Sequence, residues 1–390
     1  MVRKLVSLTL FAVSLLAQSS GISERMKWFV DHGSNAGIVT LVQHKGKPVH
    51  LSAVGFADLE KKKPMRADTM FQIMSMTKPF VGVAIMMLQE EGRLFLTDPV
   101  EKHLPEFRGQ LLVDSQIGDR ITLRKPSRPI TIKDLLTHTS GMRTQPPAGL
   151  QGLQEDMNRP LAEAVLVYSQ TPLEFEPGTK WLYSNMGLDT LGRIVEVASG
   201  MKFEEFLERR ICAPLGMKDS TIFPKPAQCD RIAQVYMWRD GKLALKGWPG
   251  YGGDPMNYRK GAVFSGPSYS LISTAQDLAN FYQMTLNGGT FQGKRLLSAA
   301  SVKVMTSVHS GSTRAGNSTG TGFGLAWEVT AETQGTVPLQ SIGSYGHGGA
   351  FGTYGWVDPA KQLVGVFLTQ GGTSDARNAF VAMAGSSVEP

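Results

Sequence analysis

Cysteine is scarce in this chain, and metal-binding patterns are missing. Only two cysteines occur among the 390 residues, Cys212 and Cys229. In an oxidising compartment they can form a disulfide, and two buried free thiols fit the sequence equally well. Two cysteines without a nearby histidine cluster do not indicate a metal, and the seven histidines are scattered without ligand spacing. We therefore expect no metal site and no cofactor.

An apolar run long enough to span a membrane is missing as well. The N-terminal run Leu5–Ala17 has 13 uncharged residues, whereas a spanning helix needs about 20. It follows a short positive start and precedes small residues, which is typical of a secretory signal cleaved after Ser19. An uncleaved anchor is the alternative, and no cysteine near the cut is available to carry a lipid. We predict that residues 1–19 are a signal peptide and that the protein is secreted or periplasmic, without a stable membrane anchor.

Charge is limited too. Charged residues make up 19% of the chain, and the formal net charge is +7. Removing Arg3 and Lys4 with the signal leaves 7 − 2 = +5. The run Lys61-Lys62-Lys63 is short and typical of a solvated loop, and no nucleic-acid-binding motif accompanies it. We therefore expect no nucleic-acid partner. With 42% hydrophobic residues, the composition is that of a soluble globular protein.

The two ends of the chain mix strands and helices. Two apolar stretches, Ile38–Gln43 and Val49–Val54, predict a β-hairpin. The segment Lys78–Glu91 is apolar nearly all round, which indicates a buried helix. Near the other end, the patterns predict two helices at Asp277–Leu286 and Ser374–Ala384 and three strands at Gly324–Val329, Gly352–Val357 and Leu363–Thr369.

The middle of the chain differs, because its helical segments are separated by Pro- and Gly-rich loops. The predicted helices there are Asp134–His138 behind a capping box at Thr131, Met186–Ala198 and Glu204–Ile211. The chain is thus predicted to be an α+β protein. Residues 20–95 and 255–390 would form a sheet domain, and residues 96–254 a mostly helical domain.

A Ser-x-x-Lys motif, Ser75 to Lys78, lies at the start of the buried helix. Residues three apart share a helix face, so the hydroxyl and the amine can meet. Burial and the positive helix end lower the pKa of such a lysine, which can then accept the serine proton. A second copy, Ser199 to Lys202, is explained by a helix C-terminal cap at Gly200.

Two further elements carry candidate functional groups. Tyr183-Ser184-Asn185 offers a phenol that can pass protons and an amide that can bind a lysine or a substrate, although Ser184 or Asn185 also suits a helix N-cap. His347-Gly348-Gly349-Ala350 precedes a predicted strand. Its glycines let the backbone pass close to a ligand, and a free N–H there, with that of Ser75, can form an oxyanion hole.

In this order, the three elements resemble the active-site signature of the serine β-lactamase and penicillin-binding protein family, especially its class C branch and the related family VIII carboxylesterases. The resemblance extends over roughly residues 30 to 370 and includes four more segments, Gly92–Val100, Asp134–Gly141, Pro214–Met217 and Ser273–Leu278. It implies a β-lactamase/transpeptidase-like fold, with an antiparallel sheet flanked by helices, a mostly helical domain, and the active site between them.

The resemblance also implies a role for each position. Ser75 would be acylated, Lys78 would activate it, and Tyr183 would shuttle protons. Asn185 would hold Lys78 or the substrate amide. The substrate-binding segment would be His347, Gly348, Gly349 and Ala350, with the Ala350 N–H in the oxyanion hole.

A second serine motif is not catalytic by this interpretation. The Gly-x-Ser-x-Gly match at 316–320 resembles the nucleophile elbow of α/β-hydrolases, but it lies in a polar loop instead of the strand–helix setting that such an elbow needs.

His347 stands where the β-lactamase pattern has lysine. A histidine is mostly neutral at pH 7 and does not offer a substrate carboxylate a permanent charge. Esters lose less from this change than penicillins or cephalosporins. We therefore expect a small-molecule substrate and, most of all, a carboxylesterase of short-chain esters. The alternatives are a β-lactamase, a D-amino-acid peptidase, and a non-catalytic penicillin-binding sensor.

Overall fold

The computed structural model describes residues 21–388 except 151, 156, 247–258, 260, 312–314, 317–318 and 333–339. The predicted signal peptide and its cleavage site at Ser19 lie outside the described residues, as does the serine of the Gly-x-Ser-x-Gly match. Among the described residues, no helix combines the length and the apolar character required to cross a membrane.

The main sheet has eight strands in the order β12-β13-β14-β15-β16-β1-β2-β3, and neighbouring strands are antiparallel. Both ends of the chain contribute to it. Its strands are β1 (Gly37–His44), β2 (Lys47–Asp58), β3 (Lys63–Pro64), β12 (Thr321–Phe323), β13 (Glu328–Thr330), β14 (Tyr345–Gly348), β15 (Tyr354–Asp358) and β16 (Leu363–Leu368). The predicted antiparallel sheet and the α+β class are confirmed.

The other strands form two-stranded ribbons, and the helices lie on the sheet or in the middle of the chain. The ribbons pair β4 (Phe71–Gln72) with β9 (Ile272–Ser273), β5 (Leu112–Ile117) with β6 (Arg120–Arg124), β7 (Tyr236–Arg239) with β8 (Lys242–Leu245), and β10 (Thr290–Phe291) with β11 (Lys294–Arg295). The helices are α1 (21–31), α2 (Lys78–Glu90), α3 (Val100–His103), α4 (Ile132–Leu136), α5 (Gly152–Glu155), α6 (Leu161–Ser169), α7 (Asn185–Ser199), α8 (Phe203–Phe206), α9 (Pro226–Cys229), α10 (Ala275–Leu286), α11 (Ala299–Met305) and α12 (Asp375–Ser386).

Both faces of the sheet are covered by helices. Side chains alternate along a strand, so Val39 and Leu41 of β1 join the core that includes α2 and α10. Ile38 and Val42 join a second core with residues of α1 and α12, Phe380 among them. With both faces buried, β1 is apolar nearly throughout, which explains why its sequence lacks the alternation of a half-exposed strand.

Helix α2 is buried from Lys78 to Leu88, as its apolar sequence predicted. It approaches the sheet closely at Gly82, where a Cβ atom would lie 2.6 Å from the Leu325 carbonyl oxygen. The Phe80 ring stacks on Phe281 of α10 at 3.8 Å. The helix that begins at Lys78 is therefore held firmly against the sheet and α10.

Two local predictions need correction, and two ribbons were not predicted. The predicted strand at Gly324–Val329 is wrong, because a tight turn with Ala326 at φ +66° separates β12 from β13. The predicted helix at Glu204–Ile211 is split into α8 and a π-helical turn over Leu207–Cys212. The ribbons β5–β6 and β7–β8 were not predicted, since their strands are largely exposed and lack an alternating apolar face.

The predicted helix caps agree better with the structure than the predictions just corrected. The Thr131 side chain accepts a hydrogen bond from the Asp134 N–H at 3.2 Å, while the Asp134 carboxylate accepts from the Thr131 N–H at 2.9 Å. This is the predicted capping box of α4. Gly200 ends α7 in the left-handed conformation at φ +73°, which supports the structural interpretation of the second Ser-x-x-Lys copy.

The two cysteines are both free. Cys212 is buried, and burial raises the pKa of its thiol. Cys229 is partly exposed and donates to the Lys225 carbonyl oxygen at 3.1 Å. Of the two alternatives for the cysteines, the structure therefore has the thiol form.

Candidate active site

Ser75 lies in a 3₁₀ turn, Met74–Thr77, that leads directly into α2. Met74 has a φ of +51°, a left-handed conformation that a non-glycine residue rarely adopts. The Thr77 hydroxyl secures the turn by donating to the Met74 carbonyl at 2.7 Å and accepting from the Leu271 N–H at 3.1 Å. Backbone strain of this kind clusters at functional sites, where the surrounding structure maintains it.

Lys78 is completely buried, and its amine has three polar neighbours. The Nζ atom lies 3.0 Å from Ser75 Oγ, 2.9 Å from Asn185 Oδ1 and 2.7 Å from the Ser268 carbonyl oxygen. An amide oxygen and a carbonyl oxygen can only accept hydrogen bonds. If the amine is neutral, its two N–H groups serve these two acceptors and its lone pair points to the serine hydroxyl.

The pKa of Lys78 makes that neutral form accessible. Burial lowers the pKa from 10.5 to about 7, while the negative charges of Asp189 and Glu328 oppose the decrease. Near neutral pH the amine therefore exists in both protonation states. It can accept a proton and return it without a large free-energy cost in either direction.

Tyr183 lies next to both Ser75 and Lys78. Its side chain hydrogen-bonds to that of Ser75, and the Lys78 Nζ lies 4.7 Å from the centre of its ring. Burial raises the pKa of Tyr183 above its usual value of 10. The phenol therefore stays protonated at neutral pH and can act as a donor, whereas Lys78 is the group able to serve as a base.

The sequence left open whether Ser184 or Asn185 caps α7, and in the structure the two residues have different roles. The Ser184 hydroxyl accepts from the Gly187 N–H at 2.9 Å and so caps α7. Asn185, the next residue, is left to accept from Lys78. The N-terminus of α7 thus provides both the helix cap and a hydrogen-bond acceptor for the Lys78 amine.

His347 lies on β14 opposite Tyr183, with the two ring centres 6.2 Å apart. The ring is buried, and its Nδ1–H donates to the Gly348 carbonyl oxygen at 2.7 Å. Burial, followed by the nearby Lys78 charge, lowers the pKa of His347 to about 3. The ring is therefore neutral at pH 7, as expected from the residue type, and it supplies no positive charge to the site.

The turn after β14 passes very close to the turn that holds Ser75. A Cβ atom at Gly349 would lie 2.3 Å from the Ile73 carbonyl oxygen and 2.1 Å from Thr353 Oγ1, so only glycine fits. Thr353 Oγ1 also donates to the Ile73 carbonyl at 3.1 Å. This contact brings Ala350, the next residue, to the rim of the cavity that contains Ser75.

That cavity has a volume of about 370 Å³. Its lining includes Ser75, Tyr183, Glu328, Arg377 and residues 346–350. Burial raises the pKa of Glu328 to about 7, against the opposing effects of Arg377 and Lys78. All the sequence-predicted site residues except Lys78 and Asn185 line this cavity, and those two contact each other directly behind Ser75.

Sequence reasoning missed His138 as a part of the site. This buried residue has a left-handed φ of +59°. Its Nδ1 accepts from the Ser184 N–H at 3.1 Å, its carbonyl accepts from the Leu182 N–H at 2.9 Å, and its ring lies 4.5 Å from that of Tyr183. His138 thus clamps the turn that carries the phenol. No local signal reveals this, because the partners are more than 40 positions away.

Asp189 and Ser268 were missed as well. Asp189 lies four residues after Asn185 on α7, so the two share a helix face, and this spacing was a usable signal. Ser268 contributes only its backbone carbonyl, which no side-chain pattern can reveal.

Comparison with known proteins places this geometry in a family. The Beta-lactamase family model matches residues 22–386. The lovastatin esterase of Penicillium rubens is 31% identical over 294 residues, which cover 72% of this chain and 71% of that protein. The structure of EstCE1, described as a hydrolase with promiscuous acyltransferase activity, superimposes with a TM-score of 0.80 at 24% identity, covering 96% of this chain and 98% of that one. The octameric penicillin-binding protein homologue from Pyrococcus abyssi gives a TM-score of 0.71 at 25% identity, covering 94% and 76%.

Proposed function

The chain belongs to the Beta-lactamase family, and we propose that within this family of serine hydrolases it is a carboxylesterase that forms an acyl-enzyme at Ser75. One observation carries the proposal. The buried Lys78 amine lies 3.0 Å from Ser75 Oγ, and the pKa of Lys78 is lowered to about 7. A lysine in this state is a base matched to neutral pH.

Acylation begins with proton transfer from Ser75 Oγ to the neutral Lys78 amine. The oxygen attacks the ester carbonyl carbon, and negative charge develops on the carbonyl oxygen. The N–H groups of Ser75 and Ala350 are the donors that we assign to this oxyanion. Collapse of the tetrahedral intermediate breaks the bond to the alcohol oxygen. The leaving alcohol takes a proton from Tyr183, which is replenished from Lys78.

Deacylation reverses these roles. Water gives a proton through Tyr183 to Lys78 and attacks the acyl carbon, and the acid leaves as the proton returns to Ser75 Oγ. Because the pKa of Tyr183 is raised, the phenol relays protons and does not persist as a phenolate. The net reaction of acylation and deacylation is the hydrolysis of an ester to an acid and an alcohol.

Two features favour esters, and short ones, as substrates. His347 is neutral, so a substrate carboxylate placed beside it would lose hydration without gaining an ion pair. The cavity volume of about 370 Å³ is near the lower end of the roughly 300–1,000 Å³ range of small-molecule sites. The relative named as a lovastatin esterase also supports ester hydrolysis.

The second candidate is hydrolysis of a β-lactam or of a D-amino-acid peptide with a free carboxylate. Arg377 lines the same cavity and is the cation that such a carboxylate would reach in place of a lysine at position 347. The penicillin-binding protein homologue among the similar structures is consistent with this candidate. An Arg377→Gln variant should lower nitrocefin turnover more than p-nitrophenyl butyrate turnover if the candidate is right.

The decisive experiment compares the wild type with Ser75→Ala on p-nitrophenyl acetate and butyrate. We expect at least a roughly 10³-fold loss in kcat/KM, together with an acyl adduct on the wild type that mass spectrometry detects at Ser75. Equal turnover by the variant would remove Ser75 from the mechanism. An adduct that forms and does not decay would instead identify a penicillin-binding sensor. We also propose export, with the signal at residues 1–19, and N-terminal sequencing of the secreted protein tests it.

A further inference from the structure

A buried carboxylate lies behind the Lys78 amine. Asp189 is completely buried on α7, one helical turn after Asn185. Its Oδ1 accepts a hydrogen bond from the Ser268 N–H at 2.9 Å. The carbonyl oxygen of the same residue, Ser268, accepts from the Lys78 Nζ at 2.7 Å. One residue thus links the carboxylate to the amine through its backbone.

The segment around Ser268 depends on this contact. Residues 264–270 are all buried, and the turn begins at Gly266, with a φ of +50°. The Ser268 N–H is directed to the Asp189 carboxylate and not to a backbone acceptor. Since a buried N–H without an acceptor is costly, the carboxylate determines where this peptide lies, and hence where its carbonyl meets the amine.

The charge of Asp189 acts on the same amine. It is the largest of the effects that counter burial and raise the pKa of Lys78. Opposite charges in a buried, poorly screened setting interact strongly. The carboxylate therefore stabilises the ammonium form relative to the neutral amine.

We propose that Asp189 is a positioning residue for Lys78: its carboxylate holds the Ser268 carbonyl in place as an acceptor and stabilises the ammonium that forms during acylation. This inference rests on the proposed function, because that ammonium arises when the amine takes the serine proton. The proton moves from Ser75 Oγ to Lys78 Nζ, and the Asp189 carboxylate takes no proton in this step. Its task is comparable to that of the buried aspartate that supports histidine in a Ser-His-Asp triad.

Several other titratable groups face Lys78 and enter any pH dependence. Each either affects the pKa of the amine or responds to its charge, except Tyr183, whose ring centre lies 4.7 Å from the Lys78 Nζ. They are Glu328 from β13, His347 from β14, His138 after α4, and Tyr183 before α7. The pKa values of both histidines are lowered and that of the tyrosine is raised, so Asp189 and Glu328 are the charges that set the balance near neutral pH.

The test is the pH profile of kcat/KM for p-nitrophenyl acetate in the wild type and in Asp189→Asn. Asparagine keeps an oxygen for the Ser268 N–H and removes the charge. We expect the acid limb of the profile to move down by about one pH unit or more, because the amine then loses its proton more readily. The plateau should fall by about 3- to 10-fold, because a weaker base transfers the proton less effectively.

Asp277→Asn is the matched control. Asp277 is another buried carboxylate, on α10, and it accepts from the Asp219 N–H and the Ser220 hydroxyl, both at 2.9 Å. Its substitution should lower the melting temperature and leave the acid limb where it is. If Asp189→Asn lowers only the melting temperature, its role is structural and the proposal is wrong.

A second readout separates this proposal from the proposed function. The pKa of Lys78 can be followed by NMR of lysine labelled at the ε-carbon, in Ser75→Ala and in Ser75→Ala with Asp189→Asn, without any turnover. A lower pKa in the double variant supports the role of Asp189 even if esters are not the substrates. An unchanged pKa contradicts it even if ester hydrolysis is confirmed.

Discussion

The two walls of the cavity differ in how far their titratable groups are hydrogen-bonded. On the helical wall, where Ser75 and Tyr183 line the cavity and Lys78 lies directly against Ser75, the amine of Lys78 has three partners within 3.0 Å. On the strand wall, His347 Nε2 is buried without a hydrogen-bond partner among the described residues, and the pKa of Glu328 is raised by burial. The reacting groups are therefore preorganised on the first wall, whereas the second wall has a ring nitrogen at His347 that is available to bind a substrate.

The largest effect is expected on the helical wall, from Lys78→Met. Methionine has a similar length, fills the buried space and cannot take the Ser75 proton, so kcat/KM for p-nitrophenyl butyrate should fall by about 10²–10⁴-fold. Circular dichroism should show a folded protein. A variant that kept near-wild-type activity would show that the helical wall does not supply the base, which would overturn the contrast between the walls.

Gly349→Ala should give the next largest effect, because it forces the two walls apart. The added Cβ would meet the Ile73 carbonyl at 2.3 Å, so the β14 turn must shift away from the Ser75 turn. Losing one oxyanion donor costs about 10²–10³ in kcat, and we expect a loss of this order from displacement of Ala350.

The control for that prediction is Gly348→Ala. A Cβ at Gly348 would make only ordinary contacts, the nearest at 3.8 Å. Equal losses of kcat in both variants would indicate general sensitivity of the strand wall and not a specific close approach at Gly349.

The pH profile reports on both walls, since each wall contributes one group with a pKa of about 7. Lys78 is active when deprotonated, and its pKa is about 7, so kcat/KM should rise with pH and reach half its plateau near pH 7. Glu328 titrates in the same range. Its carboxylate opposes deprotonation of the amine, so Glu328→Gln should shift the midpoint to lower pH. A midpoint that stays below about pH 5 in the wild type would exclude Lys78 as the titrating base.

The smallest effect is expected from His347→Lys on the strand wall. The ammonium would restore a positive charge near the substrate and should raise nitrocefin turnover relative to p-nitrophenyl butyrate turnover by about 10-fold, the order of one charged hydrogen bond. His347→Gln, which adds a polar group without charge, is the control. An unchanged ratio in the lysine variant would mean that charge at position 347 does not select the substrate.

The sequence anticipated the helical wall better than the strand wall, and the reason is local spacing. Ser75 and Lys78 are one helical turn apart, so their contact could be expected from the helix alone. The three-residue segment Tyr183 to Asn185 was recognised, but only the structure separates the cap at Ser184 from the lysine ligand at Asn185.

On the strand wall, prediction failed where a turn depends on distant partners. The predicted strand at Gly324–Val329 is interrupted by the turn at Ala326, whose N–H donates to the Leu136 carbonyl at 2.8 Å, while the neighbouring Leu325 N–H donates to the Met305 carbonyl at 2.9 Å. This placed Glu328 at the beginning of its own short strand, facing the cavity. The apolar pattern around Gly324 contains no sign of that interruption.

Local sequence determined the buried helix, the Ser-x-x-Lys contact and the caps at Thr131 and Gly200, because each depends on residues within one or two turns of one another. The tertiary structure decided the rest. The lowered pKa of Lys78, the acceptor at Ser268, the carboxylate of Asp189 and the clamp at His138 all require segments far apart in the chain to exclude water together. Burial and hydrogen bonding of this kind are properties of the packed molecule and of no single stretch of residues.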